Sequence, residues 1–225
     1  MMKVSCIIPV YNEGARIAGV LEAVTGHPLV DEIIVVDDHS TDNTISKIIA
    51  TPSVRLITCP VNRGKSHAIA LGVRAATNPL LLFLDGDLVG LAREDITALI
   101  KPVVDGAADS SISLRGNALP PWRMIGLDYL SGERVLHRTL IENHLDTIEA
   151  LPGFGLESYI NALLLKSGAR VKIAEWPHVQ SPYKVRKHGI RRGVAGEFRM
   201  FRNILETVSL ADTGHQIVGM LRARV

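Results

Sequence analysis

The stretch Leu80-Leu-Leu-Phe-Leu-Asp-Gly-Asp87 opens on five apolar residues and closes on two carboxylates. Such a run, after a helical segment, reads as a strand buried on both faces of a parallel sheet. Asp85 and Asp87 then emerge at the strand's carboxyl end, where open α/β sheets bind their ligands. Gly86 lets the chain turn and a bulky ligand approach. Carboxylates so placed suit a hard divalent cation, and such a cation suits a diphosphate. The competing reading of an isolated Asp-x-Asp is a polar turn.

The residues before this stretch alternate regularly. Strands are expected at Val4 to Pro9, Glu32 to Val36 and Val54 to Cys59, and helices at Ala15 to Val24, Asp42 to Ala50 and Ser66 to Ala76. Ser40 or Thr41 is available to cap the second helix. A helix from Arg93 to Val104 and a strand from Asp109 to Leu114 continue the rhythm. This order predicts βαβ units and an α/β fold with a mostly parallel sheet flanked by helices.

After Gly116 the rhythm breaks. Asn117 to Trp122 holds Pro120-Pro121 and reads as a loop, Glu133 to Asn143 as a helix, and Leu151 to Gly155 as a turn. A helix from Leu156 to Lys166 and a strand from Val171 to Glu175 follow. Ser181 to Gly193 is polar and basic. Val194 to Leu210 has the spacing of an amphipathic helix, with Val194, Phe198, Phe201, Leu205 and Val208 on one face.

The chain has 225 residues, 47% hydrophobic and 21% charged, the balance of a globular α/β unit with a real core. Its net charge of +2 is unevenly spread. From Arg170 to Val225 there are eleven Lys/Arg against four Asp/Glu, so that end is suited to phosphates, an anionic membrane surface or nucleic acid. Nucleic acid is disfavoured because only Tyr183 interleaves the basic run. Cys6 and Cys59 lack zinc-site spacing and read as buried thiols of a reducing compartment. No apolar run approaches ~18 residues and no signal peptide precedes Val4, so a cytoplasmic location, compatible with peripheral membrane contact, is expected.

Several lookalikes fail. Gly64-Lys65-Ser66 resembles the end of a P-loop, but its required first glycine position is Cys59. No G-x-G-x-x-G follows the first strand, and no G-x-S-x-G elbow exists. What the strand ends do offer is complementary. Tyr11 presents a ring to a base, and Glu13 a carboxylate to a ribose or a loop. Asp38 offers an acceptor to the nucleoside, while Asp42 reads as capping chemistry. Asn62-Arg63-Gly64-Lys65 is a basic turn at a helix start, suited to phosphate. Together with Asp85 and Asp87 this describes a nucleoside diphosphate site.

The segments "IIPVYNEG", "IIVVDDHSTDNT", "NRGKSHAIALGVRAA" and "LLLFLDGDL" resemble, in order and spelling, the family 2 glycosyltransferases of GT-A (Rossmann-like) fold. The resemblance spans about Val4 to Gly193. It implies that Pro9, Tyr11, Glu13, Asp38, Lys65, Asp85 and Gly86 hold a UDP- or GDP-sugar, and that Asp87 with Asp85 binds Mg²⁺ or Mn²⁺. The second half is similar to the branch of polyprenyl-phosphate sugar synthases and glucosyl-3-phosphoglycerate synthase, through "SGERVLHR", "GFGLES" and "HVQSPYKVRKHG". By that likeness Ser131, Gly132 and Gly155 line the acceptor side, Glu157 touches donor sugar or acceptor, Arg134 meets an acceptor phosphate, and His178 completes the metal shell. Lys184, Arg186, Lys187, Arg191 and Arg192 would close over phosphates; the alternative is a solvated loop. The organisation implied is a nucleotide-sugar half (1–116), a smaller acceptor half (117–193) and a C-terminal helical region (194–225), compatible with a homodimer.

The resemblance therefore implies a metal-dependent hexosyltransferase acting on a phosphate-bearing acceptor, a polyprenyl phosphate or a small metabolite. Its catalytic residues would be Asp87, Glu157 and Arg134. The alternative is a nucleotide-sugar-binding module without turnover.

Overall fold

The structure, a computed structural model, describes residues 2–153, 155–182 and 210–225. Seven strands form one sheet: β1 (Val4–Val10), β2 (Glu32–Asp37), β3 (Arg55–Thr58), β4 (Leu80–Phe83), β5 (Ser110–Arg115), β6 (Arg134–His137) and β7 (Val171–Trp176). Their spatial order is β3-β2-β1-β4-β6-β5-β7. All neighbours are parallel except β6, which runs antiparallel to both β4 and β5. The sheet is thus mostly parallel, as the alternation predicts.

The apolar runs explain the layering. Leu80, Leu82 and Leu84 join one core with Cys6, Ile8 and Val35, against α1 (Ile17–Val24) and α4 (Arg93–Val104). Leu81 and Phe83 join the other with Ile7, Ile34 and Val36, against α3 (Lys65–Ala75) and α7 (Gly155–Lys166). Side chains alternate across a strand, so a run that is apolar throughout satisfies both faces. Each fully buried leucine stabilises the fold by about 1.5–3 kcal/mol. The C-terminal helix α8 (Leu210–Arg222) packs on α7, seating Met220 in the second core.

Three expectations are corrected. Glu133 to Asn143 is not one helix. It forms β6, then 3-10 turns at Arg138–Leu140 and Glu142–His144, ahead of α6 (Leu145–Glu149). Val135 and Leu136 point into opposite cores, a demand that tertiary packing places above local helix propensity. Asn117 to Trp122 is not wholly loop: α5 (Pro120–Ile125) begins at the proline pair, where a missing N–H costs nothing. Ser40 and Thr41 do not cap α2 (Thr44–Ile49); the Asp42 carboxylate accepts from Thr44 N at 2.9 Å instead. The Ser40 hydroxyl instead accepts from Asn12 N at 2.9 Å. The helix expected at Val194 to Leu210 falls, but for its last residue, outside the described residues.

Candidate active site

From β1 the chain passes outward through β2 to β3, then returns to place β4 on β1's other side. The crevice at such a reversal, at the strands' carboxyl ends, is where this architecture binds ligands. A cavity of about 350 Å³ opens there. The end of β1 contributes Pro9, Tyr11 and Glu13, the end of β2 Asp38, the start of α3 Lys65, and the end of β4 Asp85, Gly86 and Asp87. All eight are residues that the sequence assigned to donor or metal. Tyr11 is 47% exposed, so its ring is available for stacking.

Lys65 is the pivot. Its Nζ lies 2.6 Å from Asp85 Oδ1 and 3.0 Å from Glu157 Oε1. Burial pushes the Lys65 ammonium down, but the Asp85 and Glu157 carboxylates outweigh it and hold the group charged, above the usual lysine range. Glu157 sits in the first turn of α7, where the helix dipole favours an anion. It is 2% exposed, and its Oε2 has no hydrogen-bond partner among the described residues.

Asp38 is committed to a turn. Its carboxylate accepts from Arg63 N at 2.9 Å and Gly64 N at 2.6 Å. Gly64 precedes α3 at φ 94°, a conformation that L side chains rarely adopt, so glycine is required there. Thus Asp38 fixes the start of α3, and with it Lys65, while still facing the cavity. Glu13 is paired with Arg16 at 2.5 Å. Gly86 has a packing reason besides ligand approach: a Cβ there would lie 2.5 Å from Val10 Cγ1.

The acceptor-side expectations divide. A Cβ on Gly132 would lie 3.0 Å from Asp85 Oδ1 and closer still to Lys65 Nζ, so this glycine leaves room for the ion pair. Ser131 is fully buried, its Oγ 2.8 Å from both Ser113 Oγ and Glu133 Oε2. Arg134 is 1% exposed on β6; it donates to Asn161 Oδ1 at 3.1 Å and to the Ser131 carbonyl. Burial pushes its guanidinium down despite neighbouring carboxylates. These two side chains brace the Ser131–Gly132 turn from behind and do not line the cavity. A third element carries no signal in the sequence: Arg115 pairs with Asp128 at 3.3 Å and Glu133 at 3.2 Å beneath the same turn. Burial pushes the Glu133 and Asp128 carboxyls up, though Arg115 opposes it.

Gly155 is buried as the first residue of α7. His178 is exposed, and Asp85, Asp87 and His178 do not form a group within metal-ligating reach among the described residues. Its neighbourhood nevertheless meets the site: Val89 and Gln180 exchange backbone bonds of 2.8 and 2.9 Å, and Ser181 Oγ donates to Asp87 Oδ1 at 3.2 Å. Lys184 and Lys187, with the rest of the basic stretch, lie outside the described residues.

Solved structures share this architecture. Glucosyl-3-phosphoglycerate synthase from Mycobacterium tuberculosis, crystallised with Mn²⁺, UDP and glucosyl-3-phosphoglycerate, aligns at TM-score 0.67 and 23% identity, over 92% of this chain and 80% of that one. The same enzyme with Mg²⁺ and UDP aligns at 0.67 and 24%, over 92% and 79%. The fold is therefore of the GT-A class.

Residues 5–151 match the model of glycosyl transferase family 2, and the chain belongs to that family. Among its relatives, glucosyl-3-phosphoglycerate synthase of M. tuberculosis is 30% identical over 112 residues, 46% of this chain and 34% of that protein. Undecaprenyl-phosphate 4-deoxy-4-formamido-L-arabinose transferase of Serratia proteamaculans is 34% identical over 131 residues, 53% and 39% respectively. Dolichol-phosphate mannosyltransferase of Pyrococcus furiosus is 29% identical over 160 residues, 68% and 45%. The matched regions thus span between a third and under half of these curated relatives.

Proposed function

We propose that this chain is a metal-dependent glycosyltransferase that moves a sugar from a nucleoside-diphosphate sugar to a phosphate-bearing acceptor. The observation that carries the reading is one cavity at the β1–β4 reversal that gathers Tyr11, Asp38, Lys65, Asp85 and Asp87. The donor set fits Mg²⁺ or Mn²⁺: Asp85 and Asp87 supply hard oxygen ligands from the two sides of Gly86. A cation held by them would act as a Lewis acid that neutralises the leaving diphosphate.

The chain's own residues do the rest. Tyr11 offers a stacking face, and Asp38 keeps the Arg63–Gly64 turn in place for the nucleotide. Lys65 is a fixed positive charge beside the metal ligands, positioned before charge develops on the diphosphate. Glu157, held against Lys65, keeps a second oxygen without a hydrogen-bond partner among the described residues, which a sugar or acceptor hydroxyl would fill. Ser131 and Arg134 act as positioning residues behind Gly132 rather than as phosphate ligands. In this reading residues 1–116 supply the donor side and 117–193 the acceptor side, with Lys184 and Lys187 serving the phosphates.

The phosphate-bearing acceptor is supported by the relatives, whose names specify phosphoglycerate or polyprenyl phosphates. No helix among the described residues is long and apolar enough to cross a membrane. The test is turnover. The protein is offered UDP-glucose, UDP-galactose, UDP-N-acetylglucosamine and GDP-mannose with Mn²⁺ or chelator, and 3-phosphoglycerate or a polyprenyl phosphate. Metal-dependent nucleotide release from one donor, lost in Asp87→Ala, is expected. Release from none of the donors with either acceptor would overturn the transferase reading.

A further inference from the structure

Beside the nucleotide cavity, three side chains of different chemistry converge, and two of them, Cys59 and His67, have no role in the transfer reaction. Cys59 follows β3, His67 lies in the first turn of α3, and Asp38 follows β2; all three are buried. One ligand atom from each lies within 4.8 Å of the others. The Cys59 Sγ to His67 Nδ1 distance is 3.9 Å. Tetrahedral zinc, with Zn–S near 2.3 Å and Zn–N near 2.1 Å, needs a sulfur–nitrogen edge of about 3.6 Å. Small side-chain rotations would close that gap.

A second observation concerns the far side of the imidazole. Glu149 Oε1 lies 3.6 Å from His67 Nε2. That carboxylate favours the proton on Nε2 and leaves the Nδ1 lone pair facing Cys59. Metal-bound histidines are oriented in this way by an outer carboxylate. Glu149 is itself fixed by Arg74 at 2.7 Å and Arg63 at 3.2 Å. Asp38 gives up oxygen lone pairs to Arg63 N and Gly64 N, but a carboxylate has about four acceptor positions and can take a metal as well.

We propose that Cys59, His67 and Asp38 form a second metal site, for a borderline ion such as Zn²⁺, separate from the hard-oxygen pair Asp85 and Asp87. Thiolate and imidazole select against Mg²⁺, whereas carboxylates alone do not select for Zn²⁺. Three protein ligands leave the fourth position to water. On loading, the Cys59 S–H bond breaks, its proton leaves to solvent, and the sulfur bonds the metal. The site would tie the ends of β2 and β3 to α3, the three elements that set the nucleotide side of the cavity.

The test uses the full chain in saturating Mg²⁺, which occupies hard-oxygen ligands, with Co²⁺ as probe. A thiolate-to-cobalt charge-transfer band that saturates at one equivalent, and that Zn²⁺ displaces, is expected. Cys59→Ser should abolish it and His67→Gln weaken cobalt binding by at least about tenfold. Cys6→Ser and the Asp85→Asn, Asp87→Asn double variant should keep it, since Cys6 belongs to the core on the sheet's other face. Zinc-edge X-ray absorption on the unaltered protein reads one sulfur in the shell without relying on any variant. A sulfur-free shell, no band at excess Co²⁺, or a band that survives in folded Cys59→Ser would overturn the proposal.

Discussion

Gly132→Ala perturbs the site through a single methyl group. The new Cβ would fall 3.0 and 3.2 Å from the two Asp85 carboxylate oxygens and closer to Lys65 Nζ. Ordinary contact with a methyl carbon needs about 3.5–4 Å, so the ammonium must retreat by about 1 Å or more. Its two bonds, 2.6 Å to Asp85 and 3.0 Å to Glu157, leave no slack for that. Losing the bond to buried Glu157 would cost about 1–3 kcal/mol of stability. A charge misplaced by about 1 Å in a preorganised site costs about 10²-fold in rate. The expected variant is therefore folded, modestly less stable in urea, and about 10²-fold slower in metal-dependent nucleotide release, with the loss in kcat rather than KM. A folded Gly132→Ala enzyme with unchanged kcat would refute the claim that this glycine exists to make room for the Lys65–Asp85 pair.

Asp38→Asn replaces an acceptor oxygen with an NH₂ group facing the Gly64 or Arg63 amide. It should lower stability by about 1–3 kcal/mol in equilibrium urea unfolding; a loss near zero would mean that the turn holds itself. Acid should destabilise the protein through two surface pairs. Arg170 holds the Asp109 carboxyl, and Arg74 the Glu149 carboxyl, below the usual range. Such groups contribute stability that is fully present above the unfolded carboxylate pKa, near pH ~4, and lost as pH falls through the lower folded values. Urea midpoints should fall through this window less steeply in Arg74→Ala and Arg170→Ala than in the parent, and parallel curves would contradict the assignment.

The first half was legible because its signals are local. Four apolar strands end in polar turns, and each turn delivers its side chains to one sheet edge whatever the helices between do. Leu80 to Asp87 alone gives the strand, its depth and the two carboxylates that line the cavity. The second half was less legible because its logic is non-local. Arg134 reads as a phosphate-meeting cation in a helical stretch, yet β6 inserts antiparallel between β4 and β5 and takes the arginine inside, where Asn161 and the Ser131 carbonyl receive it. Gly132 reads as an acceptor loop, and the structure adds a packing reason the sequence does not show: it leaves room for a side chain 67 positions earlier. Arg115, Asp128 and Glu133 are scattered charges in the sequence and one buried array in space. His67 and Cys59 are eight residues apart on different elements, a spacing that matches no zinc motif, so only the packing of α3 on the sheet brings them together.

The proposed function rests on a divalent cation on Asp85 and Asp87 joining this chain to a nucleoside diphosphate. Calorimetric titration of UDP and of GDP into the protein, with Mn²⁺ and then with chelator, tests it most directly. One of the two should bind in Mn²⁺ and weaken at least about tenfold, roughly 1.4 kcal/mol, when the metal is removed or Asp87 becomes Asn. Binding of equal strength with and without metal, or no binding of either nucleotide by the folded protein, would contradict it.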